Sequence, residues 1–179
     1  VIYNYFALCI SLFSLELLQI FVNKTYFIAW EVINILCFSY VFNGIYYFFI
    51  SPVFFSKKGA KKISYITVSN AIFNLFLNYL LIPKFGLIGS AYSVFISMFL
   101  YSVITYLYMI RVNKIPFNFF NIYYTTILFF LLSNYNHIVK HFSLEHSLLI
   151  KSIVFFSISL SILLIYKSYI KILLKELKR

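Results

Sequence analysis

The chain has 179 residues, 63% of them hydrophobic and 11% charged. A soluble domain carries roughly 45–50% apolar and about 25% charged residues, and one of this size lacks the interior for so much apolar surface. Fifteen Lys and Arg against four Glu and no Asp give a net charge of +11. Without Asp, no EF-hand loop, Ser-His-Asp triad or Asp-based magnesium site can be built. The cations sit in short clusters between apolar runs, which is the pattern of a membrane border and not of a nucleic-acid face. The composition therefore points to an all-α, polytopic transmembrane helix bundle.

A spanning helix needs about 20 mostly apolar residues, and six segments qualify. The first runs from the N-terminus to about Val22, the second from Ile28 to Ile50, and the third from Ile63 to Ile82. The fourth runs from Leu87 to Ile110, the fifth from Phe117 to Tyr135, and the sixth from Leu148 to Tyr166. Residues 167–179 form a basic tail. Breakers separate the segments: Ser51-Pro52 is expected to close the second, Pro83-Lys84-Phe85-Gly86 to form the third turn, and Pro116 to open the fifth. Loops this short make sequential helices antiparallel neighbours. The chain opens on Val1, with no basic region before its first apolar stretch and no small-residue cleavage pattern after it. That is a poor signal peptide, and the chain is expected to begin inside a longer protein.

In the first segment, Glu16 lies about six residues from one end, with Gln19 and Asn23 continuing its face at i+3 and i+7. A carboxylate at that depth is paired, protonated or reaching the interface, or else it couples movement to protons or sodium. Glu31 opens the next helix on the same side. Between the second and third segments, the KKGAKK loop holds Lys57, Lys58, Lys61 and Lys62. Attraction to anionic headgroups accounts for such a cluster.

The third segment carries Thr67, Asn70, Asn74 and Asn78 within a sector of about 80° at 100° per residue. Such a stripe has two readings: interhelical glue, or the polar wall of a substrate path. The fourth segment opens with Gly86, Gly89 and Ser90, then continues with Ser93 and Ser97 at four-residue spacing. Small residues at that interval let two helices approach closely.

Basic residues alternate in number across the membrane. One side holds Lys57, Lys58, Lys61, Lys62, Arg111, Lys114, Lys167, Lys171, Lys175, Lys178 and Arg179, and the other Lys24, Lys84, Lys140 and Lys151, or eleven against four. The bias places both chain ends in the cytoplasm. The tail lysines line one face of a helix lying on the inner surface. His137, His141 and His146 have no HExxH pattern around them, and Cys9 and Cys37 sit mid-segment as small apolar side chains. No metal, cofactor or nucleophile-base pair is expected, and the chain is not read as an enzyme.

The stretch Asn74-Leu75-Phe76-Leu77-Asn78-Tyr79-Leu80-Leu81-Ile82-Pro83-Lys84-Phe85-Gly86-Leu87-Ile88-Gly89-Ser90-Ala91 resembles a recurring helix-hairpin pattern of bacterial polysaccharide flippases, close to LNxxLNxxLIPxxGxxGAAxAT. Glu16, Tyr26 and Ala29 resemble the family's outer loop before its tenth helix, and KKGAKK its basic cytoplasmic loop. The family belongs to the multidrug/oligosaccharidyl-lipid/polysaccharide exporter superfamily. The resemblance implies the last six of fourteen helices in the bacterial cytoplasmic membrane. It implies alternating-access flipping of an O-antigen-type, lipid-linked oligosaccharide, usually on undecaprenyl diphosphate, together with a first lobe that this chain lacks. No Lys or Arg lies mid-segment, so a diphosphate is expected to meet its cations in that lobe. The rival readings are a small-molecule exporter on the same scaffold, a membrane enzyme of glycan assembly and an inactive truncated protein. The expected partners are membrane lipids, the lipid-linked oligosaccharide and the missing lobe.

Overall fold

The computed structural model describes residues 2–23, 26, 29–54, 57–113, 119–134, 148–157 and 159–160. Its helices are α1 (Ile2–Phe21), α2 (Ala29–Phe54), α3 (Lys57–Asn113), α4 (Phe119–Ser133) and α5 (Leu148–Ser157). No strand is present among the described residues. The first four helices belong to one compact unit, residues 1–135, and α5 to a second, residues 136–179. Three helices, α1, α2 and α3, are long and apolar enough to cross a membrane. The shorter α4 and α5 are apolar as well.

The third and fourth expected segments form one helical element interrupted only at Gly86, whose φ of 57° and ψ of −131° lie outside the helical region. The expected four-residue turn is therefore a single residue, and Pro83 to Phe85 remain helical. Only glycine enters that backbone region without steric cost. Side-chain bonds show that the chain reverses there. Ser93 meets Asn78, Asn74 meets Ser97, and Thr67 meets Tyr101. As one partner steps back along the chain, the other steps forward, and the pairs converge on the glycine. α3 is thus an antiparallel hairpin with a first arm, 57–85, and a second, 87–113.

The same argument orders the other helices. Ser11 bonds Asn34, and the ring of Tyr3 lies beside Gly44, so α1 and α2 run antiparallel. Phe42 packs edge-on against Phe95 and Phe99, Tyr46 stacks on Tyr101 at 4.1 Å, and Phe49 meets Tyr106 at 5.0 Å. Both series rise together, so α2 runs parallel to the second arm. Phe38 meets Phe130 and Phe42 meets Tyr123, which makes α4 antiparallel to α2. Successive elements, with the hairpin counted as two, alternate in direction.

The core lies where α2 meets the hairpin and α4. Phe42, Tyr46, Phe49, Ile50 and Val53 are buried against Ile63, Tyr101, Met109 and Tyr123. Aromatic pairs of this kind contribute about 0.5–1.5 kcal/mol beyond their buried area. The first arm is the peripheral element: Tyr65, Val68, Ile72, Leu75 and Tyr79 along it are all exposed.

Two sequence expectations change at helix ends. α2 does not close at Ser51-Pro52 but continues to Phe54. Pro52 removes a single intrahelical bond in the last turn, where the helix was about to end. Asn23 lies beyond the end of α1 at Phe21, so it does not continue the face of Glu16. Pro116, Lys114, the three histidines, the sixth segment from residue 161 onward and the basic tail lie outside the described residues. The side chains of Lys57 and Lys58 do as well.

Candidate functional site

The polar stripe of the first arm faces the small-residue stripe of the second. Asn74 Nδ2 donates to Ser97 Oγ at 2.8 Å, and Asn78 Nδ2 donates to Asn74 Oδ1 at 3.0 Å. Ser93 Oγ donates to Asn78 Oδ1, and Thr67 Oγ1 shares a 2.7 Å hydrogen bond with the hydroxyl of Tyr101. The hydroxyls of Ser90 and Ser93 also reach backbone carbonyls one turn back, Leu87 and Ser90 respectively. Ser93 and Ser97 are fully buried. The two stripes therefore close on each other, and three of the four stripe residues, Thr67, Asn74 and Asn78, are occupied in holding the hairpin. Interhelical bonds of this type average about 0.6 kcal/mol.

Gly86 and Gly89 serve different needs. Nothing lies within 4 Å of a Cβ built on Gly86, so its requirement is dihedral. A Cβ on Gly89 would overlap the Leu81 carbonyl oxygen and lie 2.7 Å from its carbon, so its requirement is space.

Asn70 stands apart. It makes no hydrogen bond among the described residues and is half-buried in the wall of a groove between the two arms. The groove encloses about 510 Å³, lined by Tyr65, Ile66 and Phe73 on one side and by Leu100, Tyr101 and Ile104 on the other. Its volume falls within the about 300–1,000 Å³ of ligand clefts. At one end Lys62 Nζ sits 5.8 Å from the centroid of the Tyr108 ring, which ties the basic start of the first arm to the end of the second. Lys61, Lys62 and Arg111 are exposed there, while Lys84 is exposed at the opposite end, beside Gly86.

Glu16 is buried, at 5% exposure, and so does not reach out of the fold. Glu31 falls in the first turn of α2, where a negative charge favours the helix N-terminus. In the second unit, Lys151 of α5 is buried. Cys9 and Cys37 are free thiols, each half-buried.

A second polar cluster was not visible from spacing. Asn34 Oδ1 accepts from Ser11 Oγ and from Ser133 Oγ, each at 2.7 Å, and its Nδ2 donates to Asn134 Oδ1 at 3.1 Å. One side chain thus links α1, α2 and α4. Further along the same interface, Asn4 Nδ2 donates to Thr126 Oγ1 at 3.2 Å, so α1 and α4 run parallel. Tyr123 donates to Ser102 at 2.8 Å, joining α4 to the hairpin. Asn4, Ser11 and Ser14 share one face of α1 at intervals of seven and three, but the partners of Asn4 and Ser11 lie on other helices, which spacing does not show.

No protein-family model matches the chain, and no curated protein or solved structure matches it either. Among the described residues the secondary structure is all-helical, with apolar elements long enough to span a membrane.

Proposed function

We propose that the chain is the C-terminal part of a membrane transporter resembling the polysaccharide flippases. Six helices would span the bacterial cytoplasmic membrane with both ends in the cytoplasm, and with a first lobe they would move a lipid-linked oligosaccharide of the undecaprenyl diphosphate type. The observation that carries the reading is the α3 hairpin. It sits on the stretch Asn74 to Ala91 that bears the resemblance, and its cations gather at one end, with Lys84 alone at the other. The alternating direction of the first unit's elements suits a polytopic bundle. A small-molecule exporter on the same scaffold is the second reading, favoured by the absence of Lys and Arg between Lys62 and Lys84 and between Lys84 and Arg111.

Two experiments test the proposal. Cysteine placed at Lys84 in intact cells should react with a membrane-impermeant maleimide, while cysteine at Lys58 should react only after lysis. The reverse pattern sinks the topology. Proteoliposomes holding the full coding product should move a fluorescent undecaprenyl diphosphate sugar between leaflets faster than empty liposomes. Equal rates refute the flippase reading.

A further inference from the structure

We propose that the open face of the α3 hairpin binds one anionic phospholipid, its phosphate held by Lys61, Lys62 and Arg111 and one acyl chain lying in the groove between the arms. The spacing on each arm supports this. Lys61, Tyr65, Val68 and Ile72 follow one another at intervals of four, three and four residues, and so do Leu100, Ile104, Leu107 and Arg111. Each set is one helical stripe. Every apolar member of both stripes is exposed. Because the arms are antiparallel, the stripe that begins with a cation and the stripe that ends with one bring their cations to the same end.

Tyr65, Leu100 and Ile104 also line the groove, so the basic end and the apolar trough are continuous. Lys62, one turn before Ile66, is held at that end by Tyr108, one turn beyond Ile104. None of the three cations has an ion pair among the described residues, and the chain's four Glu lie at positions 16, 31, 145 and 176. An apolar trough that opens onto cations with no ion pair among the described residues matches a molecule with a long hydrocarbon chain and an anionic head. An annular zwitterionic lipid has no net charge to offer the cations. The inference requires only that the hairpin sit in a bilayer. A chain that transports nothing would still retain the lipid, so failure here and failure of the flippase reading are separate results.

The test is native mass spectrometry of the purified chain from nanodiscs containing equal parts phosphatidylglycerol and phosphatidylcholine. The expected result is one retained phosphatidylglycerol and no retained phosphatidylcholine. Replacing the cations with Gln singly and together should lower that preference about fivefold per cation, from the contribution of a cation near an anionic surface. Ile104→Trp fills the trough and leaves the cations in place, and it should abolish retention. Glycerol phosphate in millimolar excess should not displace the lipid, and a diazirine placed midway along the acyl chain should label Phe73, Leu100 or Ile104. Equal retention of the two lipids overturns the proposal. So does unchanged retention by a folded Ile104→Trp protein, displacement by glycerol phosphate, or labelling confined to other helices.

Discussion

Asn34→Leu removes the side chain that ties three helices together while keeping the same branched outline. Asn34 is 5% exposed and takes part in three interhelical hydrogen bonds, to Ser11, Ser133 and Asn134. At the average of about 0.6 kcal/mol per interhelical bond, their loss amounts to about 2 kcal/mol, and at the largest measured values to about 5 kcal/mol. The local geometry favours the lower figure. The Ser133 hydroxyl also lies 2.6 Å from the Phe130 carbonyl, and Asn134 Nδ2 donates to that same oxygen at 3.0 Å. Ser133 therefore keeps an acceptor when Asn34 is gone; Asn134 Oδ1 loses its donor, but that group is only part-buried, so the full penalty for a stranded buried group does not arise there.

The chain supplies its own reporter. Its single tryptophan, Trp30, is buried one turn before Asn34 on α2. Denaturant titration in bicelles, followed by tryptophan fluorescence, should show Asn34→Leu unfolding earlier by about 2 kcal/mol. Ser133→Ala, combined with it in a double-mutant cycle, should reveal a coupling of about 0.6 kcal/mol. A variant as stable as the native chain, or a coupling of zero, would refute the assignment of Asn34 as the junction of α1, α2 and α4.

Three further outcomes follow from the hairpin. Gly86→Ala places a side chain at φ 57°, ψ −131° and should cost about 1–3 kcal/mol in the same titration. D-alanine introduced by semisynthesis should restore native stability, since the mirror conformation is an ordinary extended one. Gly89→Ala drives a methyl group into the Leu81 carbonyl and should cost about 1–3 kcal/mol by overpacking, with no rescue by the D residue. Asn74→Leu removes the bonds to Ser97 and Asn78 and should lower stability by about 1 kcal/mol, whereas Asn70→Leu should leave unfolding unchanged. Equal effects of the two asparagine changes would contradict the pairing described.

The hairpin was legible in the sequence because its signals repeat. Asn74 and Asn78 recur at four residues, Gly89, Ser93 and Ser97 do the same, and Pro83 and Gly86 mark the reversal between them. The turn is shorter than the sequence predicts, because Pro83 has the character of a breaker yet stays inside the helix. Pro83 gives up one intrahelical bond and stays helical, and Gly86 alone supplies the backbone angle that reverses the chain. Pro52 likewise stays inside its helix, which runs on to Phe54. Asn34, Ser11 and Asn4 are hidden for a different reason: the partner of each lies on another helix, α1 and α4 for Asn34, α2 for Ser11 and α4 for Asn4. Periodicity reports a face, but it does not report which distant residue meets that face.

The fate of the asparagines bears on how a substrate could use this chain. A polar residue within an apolar span is either satisfied by a neighbouring helix or left for something that arrives later. In the first unit, Asn4, Asn34, Asn74 and Asn78 each have side-chain partners on another element. Asn70 alone on the stripe faces the groove instead. The hairpin thus separates two roles along one helix face. Asn74 and Asn78 lock the arms together near Gly86, Thr67 ties them to Tyr101, and Asn70 between these bonds faces the trough. Widening that trough means breaking the Thr67–Tyr101 bond at 2.7 Å, whereas widening it at the Gly86 end means breaking the Asn–Ser ladder. Any molecule that enters between the arms therefore meets least resistance from the basic end.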